Sequence, residues 1–435
     1  LQTFDSSNRP FFTRNQHIII AAIAFLGITY NAIFAFVYSN VGIISDGHVI
    51  MAEMAISFAG LSVILIKGIK ENDKLIMMFA VTVGISVILI YIASSLVAVN
   101  MIRNFLIVII FTMLGYRLSK QVYHRLVYTI AIIVLFILII EITSVEAYVS
   151  LFSPARYYEA TRGIEIKDFN DTGLFGNALS FEGRFNFGFF NTHRTSSIFL
   201  EQVSFANFLS VLAIYTATFW RELSANRKTI YLTLIILGLL TNNSRTSSTV
   251  AVICFLLYNL YAFLPSAITL IRRACFITTF SVASIVAMNN DFIYSGDNFE
   301  GRLSLGMGRF YDLEALDYLG FGWNKIDSLW DSGFGYLIAS STIFAAVGFI
   351  AFIHLYLSSR FRNQLLFSTL LIIYISLNLV IGGNAIYSMK TAPLLWMAFG
   401  FLKSEESSDE AVENTNLSSL VLLGVYFAHR KNRLG

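Results

Sequence analysis

Apolar runs separated by short polar segments set the pattern of this chain. They lie near 18–38, 49–66, 75–94, 102–118, 126–143, 198–219, 228–242, 247–265, 273–289, 333–357, 364–382 and 388–402. A helix crossing the hydrocarbon of a bilayer needs about 20 predominantly apolar residues, and these runs meet or approach that length. The pattern predicts an all-α, polytopic integral membrane protein with about twelve transmembrane helices, forming a single transmembrane domain over 1–435. The polar start through His17 runs into the first apolar segment without a small-residue cleavage site, so it reads as a retained helix, not a signal peptide.

Composition agrees: 56% of residues are hydrophobic and 13% charged, roughly half the charged share of a soluble domain. Net charge, +3, says less than its placement. Arg9 and Arg14 precede the first run; Lys67, Lys70 and Lys74 fill one short loop and Arg117, Lys120 and Arg125 another. Arg221, Arg227 and Lys228 follow, then Arg272 and Arg273, Arg360 and Arg362, and Lys403. With alternating spans all of these fall on one side, and short basic loops stay cytoplasmic. Both termini are therefore expected on the cytoplasmic side, with a cytoplasmic tail over 403–435. The acidic stretch "SEESSDEAVENTN" reads as solvated and flexible, and the apolar run 418–428, too short to span, as lying on the membrane surface. Cys254 and Cys275 fall in apolar runs and read as buried free thiols.

This topology leaves two long segments on the outer, periplasmic side, 144–197 and 290–332. Long loops without evident regular structure are commonly functional. Both hold more carboxylates than bases, so their arginines are not a general basic surface. The first contains Arg156, Arg162, Arg184 and Arg194 amid many Phe and Tyr residues; the second contains Arg302 and Arg309. Guanidinium forks match phosphate oxygens, so arginines converging at a membrane surface suit an anionic lipid headgroup such as a pyrophosphate. The plainer alternative pairs each arginine with a loop carboxylate.

The stretch "NTHRTSSIFLEQVSFANFL", residues 191–209, brings charge to the mouth of an apolar run. If the helix has begun by Arg194, then Arg194, Ser197, Glu201 and Ser204 share one face, with Asn207 close by. A polar stripe entering the membrane faces a cavity or the bundle interior. "TNNSRTSSTV", residues 241–250, repeats the theme, with Arg245 among small hydroxyl and amide residues. Close helix packing explains such residues too; the sharper reading makes Arg245 a second cation for the same anion. Lys390 is a further outer base that snorkelling accounts for equally well. The sequence has no Gly-rich phosphate loop, no paired Cys or His spacing for a metal and no Asp-x-Asp pair. Nothing in it suggests a nucleic-acid partner. His193 is the one histidine beside the candidate site.

"HRTSSIFLEQVSFANFL" followed by "NNSRTSSTVAV" resembles the O-antigen ligase and Wzy-type polysaccharide polymerase superfamily, and "RTSSIFLE" resembles most its exopolysaccharide, xanthan-type branch. "GMGRFYDLEALDYLGFGWN" and "DSGFGYLIASSTIFAAVGFIAF" are similar to that family's second outer loop and following helix. Family positions match Arg194, Phe199, Glu201 and Asn207, with Gln202 where proline is usual. The recognisable part spans roughly 180–360. Ligases of the superfamily use a histidine in the second outer loop; here there is none, while Asp327 and Asp331 lie toward its end, which tilts the expectation toward polymerase.

The resemblance implies a glycosyltransferase that joins polyprenyl-pyrophosphate-linked oligosaccharide repeats at the outer face of the inner membrane, with the lipid pyrophosphate leaving and no metal or other cofactor required. Donor and acceptor are both lipid-linked, and a chain-length regulator and a flippase are expected partners. Arg194, Arg245 and Arg309 would stabilise the leaving group, and Glu201 or His193 would accept the hydroxyl proton. Arg162, Arg184, Arg302, Asn207 and Ser197 would bind substrate. A ligase transferring finished glycan, and a flippase for lipid-linked sugars, are the alternatives. A transporter site, however, commonly sits near the bilayer midplane on broken helices in repeated halves, whereas the charge here gathers in the outer segments.

Overall fold

The computed structural model describes residues 9–69, 73–95, 97–166, 170–180, 185–296, 298–329, 332–381 and 385–406, with side chains from residue 15 onward. Five helices open the chain: α1 (Arg9–Val41), α2 (Asp46–Lys67), α3 (Lys74–Ser94), α4 (Val99–Tyr116) and α5 (Lys120–Thr143). Two short ones follow, α6 (Val145–Phe152) and α7 (Pro154–Arg162), before α8 (Gln202–Phe219), α9 (Ala225–Asn242), α10 (Arg245–Phe263) and α11 (Pro265–Asn289). The amphipathic α12 (Phe299–Tyr311) precedes α13 (Gly333–Leu355) and α14 (Arg362–Ile381), and α15 covers 392–406.

Among the described residues, ten helices are long and apolar enough to cross a membrane. The chain is an all-α polytopic membrane protein. The other two expected spans are helical as well: α9, whose first turn holds Asn226, Arg227 and Lys228 and so shortens its apolar part, and α15. The two long segments are more ordered than their sequence suggests. The first folds into α6 and α7, the second into α12 and two 3-10 stretches over Asp317–Leu319 and Phe321–Ser328. Ser144 caps α6 by accepting from the Ala147 N–H, and Asn298 caps α12 by accepting from Gly301. Arg184, Asp331 and the run 418–428 lie outside the described residues. The first residues assigned to the tail continue α15 through Glu406, which is buried and meets Lys403 at 3.1 Å.

α8 and α14 form the centre, each with 83% of its apolar window buried, while α2, at 17%, lies at the periphery. Helices enclosed by other helices need small residues for close approach. A Cβ on Gly400 of α15 would stand 1.8 Å from the Thr112 carbonyl oxygen of α4, and one on Gly115 only 2.2 Å from that of Met397. The pair lets two backbones touch.

At one end of the bundle the basic turns collect. Arg117 pairs with buried Asp73 at 2.8 Å, and Lys120 bridges Glu222 and Glu405 at 2.9 Å each. Asn363 donates to Glu222, and Arg272 to the Leu357 carbonyl. The turns expected to share a side therefore do share an end. The two long segments meet at the other.

Replacing Gly400 with Val should separate α4 from α15 and cost about 1–3 kcal/mol. Gly84→Ala on α3, with open space around its Cβ position, should cost almost nothing. Thermal unfolding of both variants in detergent, compared with the parent, checks this.

Candidate functional site

The approach to α8 is not helical. After a 3-10 turn over Ser197–Phe199, Leu200 adopts a left-handed conformation (φ 61°) and Glu201 becomes the N-cap of α8. Ser197 is left-handed as well (φ 48°). Such geometry in non-glycine residues costs about 1–3 kcal/mol each and persists only where the surroundings enforce it.

The enforcing group is Glu141, fully buried on α5. Its carboxylate accepts from the Ser196 N–H (3.0 Å to each oxygen), the Ser197 N–H (2.6 Å) and the Ser196 hydroxyl (3.2 Å). The Ser197 hydroxyl donates to the Val134 carbonyl, and the Tyr148 hydroxyl to that of Ser197. On the far side the same strand is zipped to the end of α9. Thr195 N–H donates to the Thr241 carbonyl, and Asn242 Nδ2 donates to the carbonyls of Thr195 (2.6 Å) and Gln202 (2.9 Å). Asn243 accepts from the Phe187 N–H and donates to the Phe190 carbonyl. "HRTSS" and "TNNSR", some fifty positions apart, thus form one hydrogen-bonded block.

Beside this block lies a cavity of about 590 Å³, within the range typical of ligand pockets. Arginines from four helices and the loop before α8 line it: Arg103 (α4), Arg162 (α7), Arg245 (α10), Arg302 (α12) and Arg194 of the loop. Glu201, Ser204, Asn207, Asn378, Tyr387 and Thr391 are among its other walls. Arg194 donates to the carbonyls of Phe185 (3.2 Å) and Asn243 (2.9 Å), while the Arg245 guanidinium lies 5.0 Å over the Phe185 ring. Arg103 meets Glu53 at 2.6 Å, and Glu53 also accepts from Tyr30. Arg162 stacks 4.5 Å over Tyr158 and reaches Glu201 at 3.7 Å.

Glu201 stands just outside α8. Burial works to raise its carboxyl pKa, but Lys390, Arg162 and the Ser204 hydroxyl outweigh that and hold it below the usual range. Lys390 is itself buried, and burial pulls its ammonium down to about 8 despite the neighbouring Glu201.

The structure brings together Arg162, Arg194, Glu201, Asn207, Arg245 and Arg302, which sequence reasoning proposed separately. The helical stripe that grouped Arg194 with Glu201 does not exist, because the left-handed turn at Leu200 intervenes. Three expected residues stand elsewhere. His193 is 2% exposed and pairs in an isolated bridge with Leu179, which turns its ring against Phe190 and to 3.6 Å from Glu141, away from the cavity. Ser197 is buried and spends its hydroxyl and N–H on the scaffold. Arg309 lies two turns beyond Arg302 on α12, about 10 Å farther along the helix, and only the start of α12 borders the cavity. Asn207 lines the cavity while accepting from the Tyr374 hydroxyl at 2.8 Å, so it also ties α8 to α14.

Arg103, Glu53, Glu141 and the role of Lys390 escaped the sequence reading. Glu53 and Glu141 had a usable signal, since a carboxylate inside an apolar span is seldom without function.

Fold and site together define a polytopic α-helical membrane protein that holds an arginine-rich cavity at one end of its bundle. No family model, curated protein or solved structure matches the chain.

Glu141→Ala should leave the Ser196 and Ser197 N–H groups buried without their acceptor, at about 1–3 kcal/mol for each. We expect a lower melting temperature together with faster proteolysis within 185–201, read by mass spectrometry of the fragments.

Proposed function

We propose that the protein is a polysaccharide polymerase of the Wzy type, joining polyprenyl-pyrophosphate-linked oligosaccharide repeats at the outer face of a bacterial inner membrane. The supporting observation is the cavity itself, where three guanidiniums from the two long segments meet Arg103 of α4, Arg245 of α10 and the Glu201 carboxylate. Arginine keeps its charge in such an enclosure and meets phosphate oxygens with paired donors.

In this reading, a hydroxyl of the acceptor repeat attacks the anomeric carbon of the donor glycan. The new glycosidic C–O bond forms as the bond to the lipid pyrophosphate breaks, and the electron pair leaves with the pyrophosphate. Fixed cations act on the charge that develops there; Arg194, Arg245 and Arg302 are assigned this role, Arg302 taking the place first given to Arg309. Arg194 also braces the loop through Phe185 and Asn243. Glu201, ionised and facing the cavity, takes the acceptor proton. His193 drops out because its ring is walled off.

Arg245→Ala and Arg302→Ala should each lower polymer formation by about 10²-fold, the usual effect of removing one group that stabilises developing charge, and Glu201→Gln should lower it as well. Analysis of lipid-linked glycans checks the reading. A polymerase defect accumulates single repeats on the outer leaflet, a ligase defect long unattached chains, and a flippase defect repeats facing the cytoplasm. Normal polymer from the Arg245→Ala/Arg302→Ala double variant would sink the site assignment.

A further inference from the structure

The wall behind Glu201 holds a charge whose purpose lies beyond packing. Lys390 sits in the turn that follows the short 3-10 helix Ala385–Tyr387 and precedes α15, and only 4% of it is exposed. A buried ammonium requires acceptors, and its Nζ donates to the Tyr158 hydroxyl (2.9 Å), Glu201 Oε2 (3.4 Å) and the Phe199 carbonyl (3.4 Å). These partners come from α7 and from the strained turn that delivers Glu201.

The contacts of Glu201 are lopsided. Lys390 Nζ, Arg162 Nη1 and the Ser204 hydroxyl, the last at 3.1 Å, all fall on Oε2. Among the described residues none falls on Oε1, although Glu201 lines the cavity.

We propose that Lys390 is a positioning residue, whose ammonium anchors Oε2 of Glu201 from behind and leaves Oε1 turned to the cavity as the proton acceptor for the incoming hydroxyl. This assignment rests on the glycosyl-transfer reading for the identity of the proton donor, but not for the geometry. It makes the Glu201 side of the cavity the acceptor end, and the Arg194–Arg245 side, where both guanidiniums gather at Phe185, the pyrophosphate end. The proton moves from the acceptor oxygen to Oε1 as the glycosidic bond forms, so charge stays balanced while the pyrophosphate departs with its electron pair.

Electrostatics supports the geometry. Burial opposes the ionised form of Glu201, and Lys390 is the largest influence favouring it, ahead of Arg162 and Ser204; Tyr158 borders all three charged groups. Glu53 on α2 acts on Lys390 in turn, and Tyr30 and Tyr157 act on Arg162. Without the ammonium the carboxyl must rise, so the sign is fixed. A base that has to be ionised is then lost at a higher pH, and the acidic limb of the pH–rate profile moves upward.

The test uses full-length protein in lipid nanodiscs with Lys390→Gln and Lys390→Arg. Infrared difference spectra across an acid titration follow the protonated-carboxyl band that disappears in Glu201→Gln. We expect that band to appear at a pH higher by roughly one to three units in Lys390→Gln, the usual effect of one adjacent opposite charge, and near its original pH in Lys390→Arg. The acidic limb of polymer formation should move with it. An unmoved band in a folded Lys390→Gln overturns the proposal, as does an unmoved acidic limb. If Lys390→Gln fails to fold, Lys390→Arg decides alone: a band displaced as far as loss of charge would displace it overturns the proposal. A moving band in protein that forms no glycosidic bond with lipid-linked repeats would defeat the glycosyl-transfer reading while leaving the anchoring of Glu201 in place.

Discussion

A buried carboxylate on α5 is the point on which the site depends. Glu141 is fully buried, and a carboxylate taken out of water needs several donors around it. The chain supplies them by bending, since the backbone at Ser196 and Ser197 turns its N–H groups inward at 2.6–3.0 Å. Within the bend Ser197 and Leu200 are left-handed, and Glu201 follows the second of them as the N-cap of α8, lining the cavity. Strain, anchor and cavity residue gather around one buried, hydrogen-bonded carboxylate.

The zipper to α9 completes the arrangement from the other side. Asn242 spends its amide on the carbonyls of Thr195 and Gln202, which binds the end of α9 to both the bend and the first turn of α8. Arg245 begins α10 only three residues later, so its position is inherited from that bond. Arg194 is fixed in the same way, through the Asn243 carbonyl. The guanidiniums converge because their backbones are pinned by neutral hydrogen bonds, which offsets the repulsion of like charges gathered in one place. Around this block the bundle is tight: α8 and α14 are enclosed by other helices, and Gly115 and Gly400 let α4 and α15 touch.

Much of the cavity was legible in the sequence as a set of separate hints. Arg194 and Arg245 each stood beside small polar residues at the end of an apolar run, and that combination is hard to explain in a lipid-facing position. The spacing that grouped Arg194 with Ser197, Glu201 and Ser204 assumed an uninterrupted helix, and helical periodicity holds no warning that Glu141 will break it. His193 neighbours Arg194 in sequence and Ser197 falls on that assumed stripe, yet a bridge to Leu179 and bonds to α5 turn both inward. Arg103 and Lys390 carry the opposite kind of signal. Each is a lone base at the end of an apolar run, where snorkelling is a sufficient account, and only their neighbours Glu53 and Glu201 give them another.

The sequence by itself determined the class of architecture. Apolar runs of membrane-spanning length leave the backbone no alternative to helix, since every N–H and C=O must be satisfied inside lipid. Basic residues then gather the short turns at one end. Those properties are local, each written within some 20 consecutive residues. Tertiary structure alone decided which charges meet. The arginines of the cavity come from positions 103 to 302, and their convergence depends on how Glu141, Asn242 and Asn243 satisfy distant backbone groups. Hydrogen bonds of that kind join residues about 40–55 positions apart, beyond the reach of any periodicity along the chain.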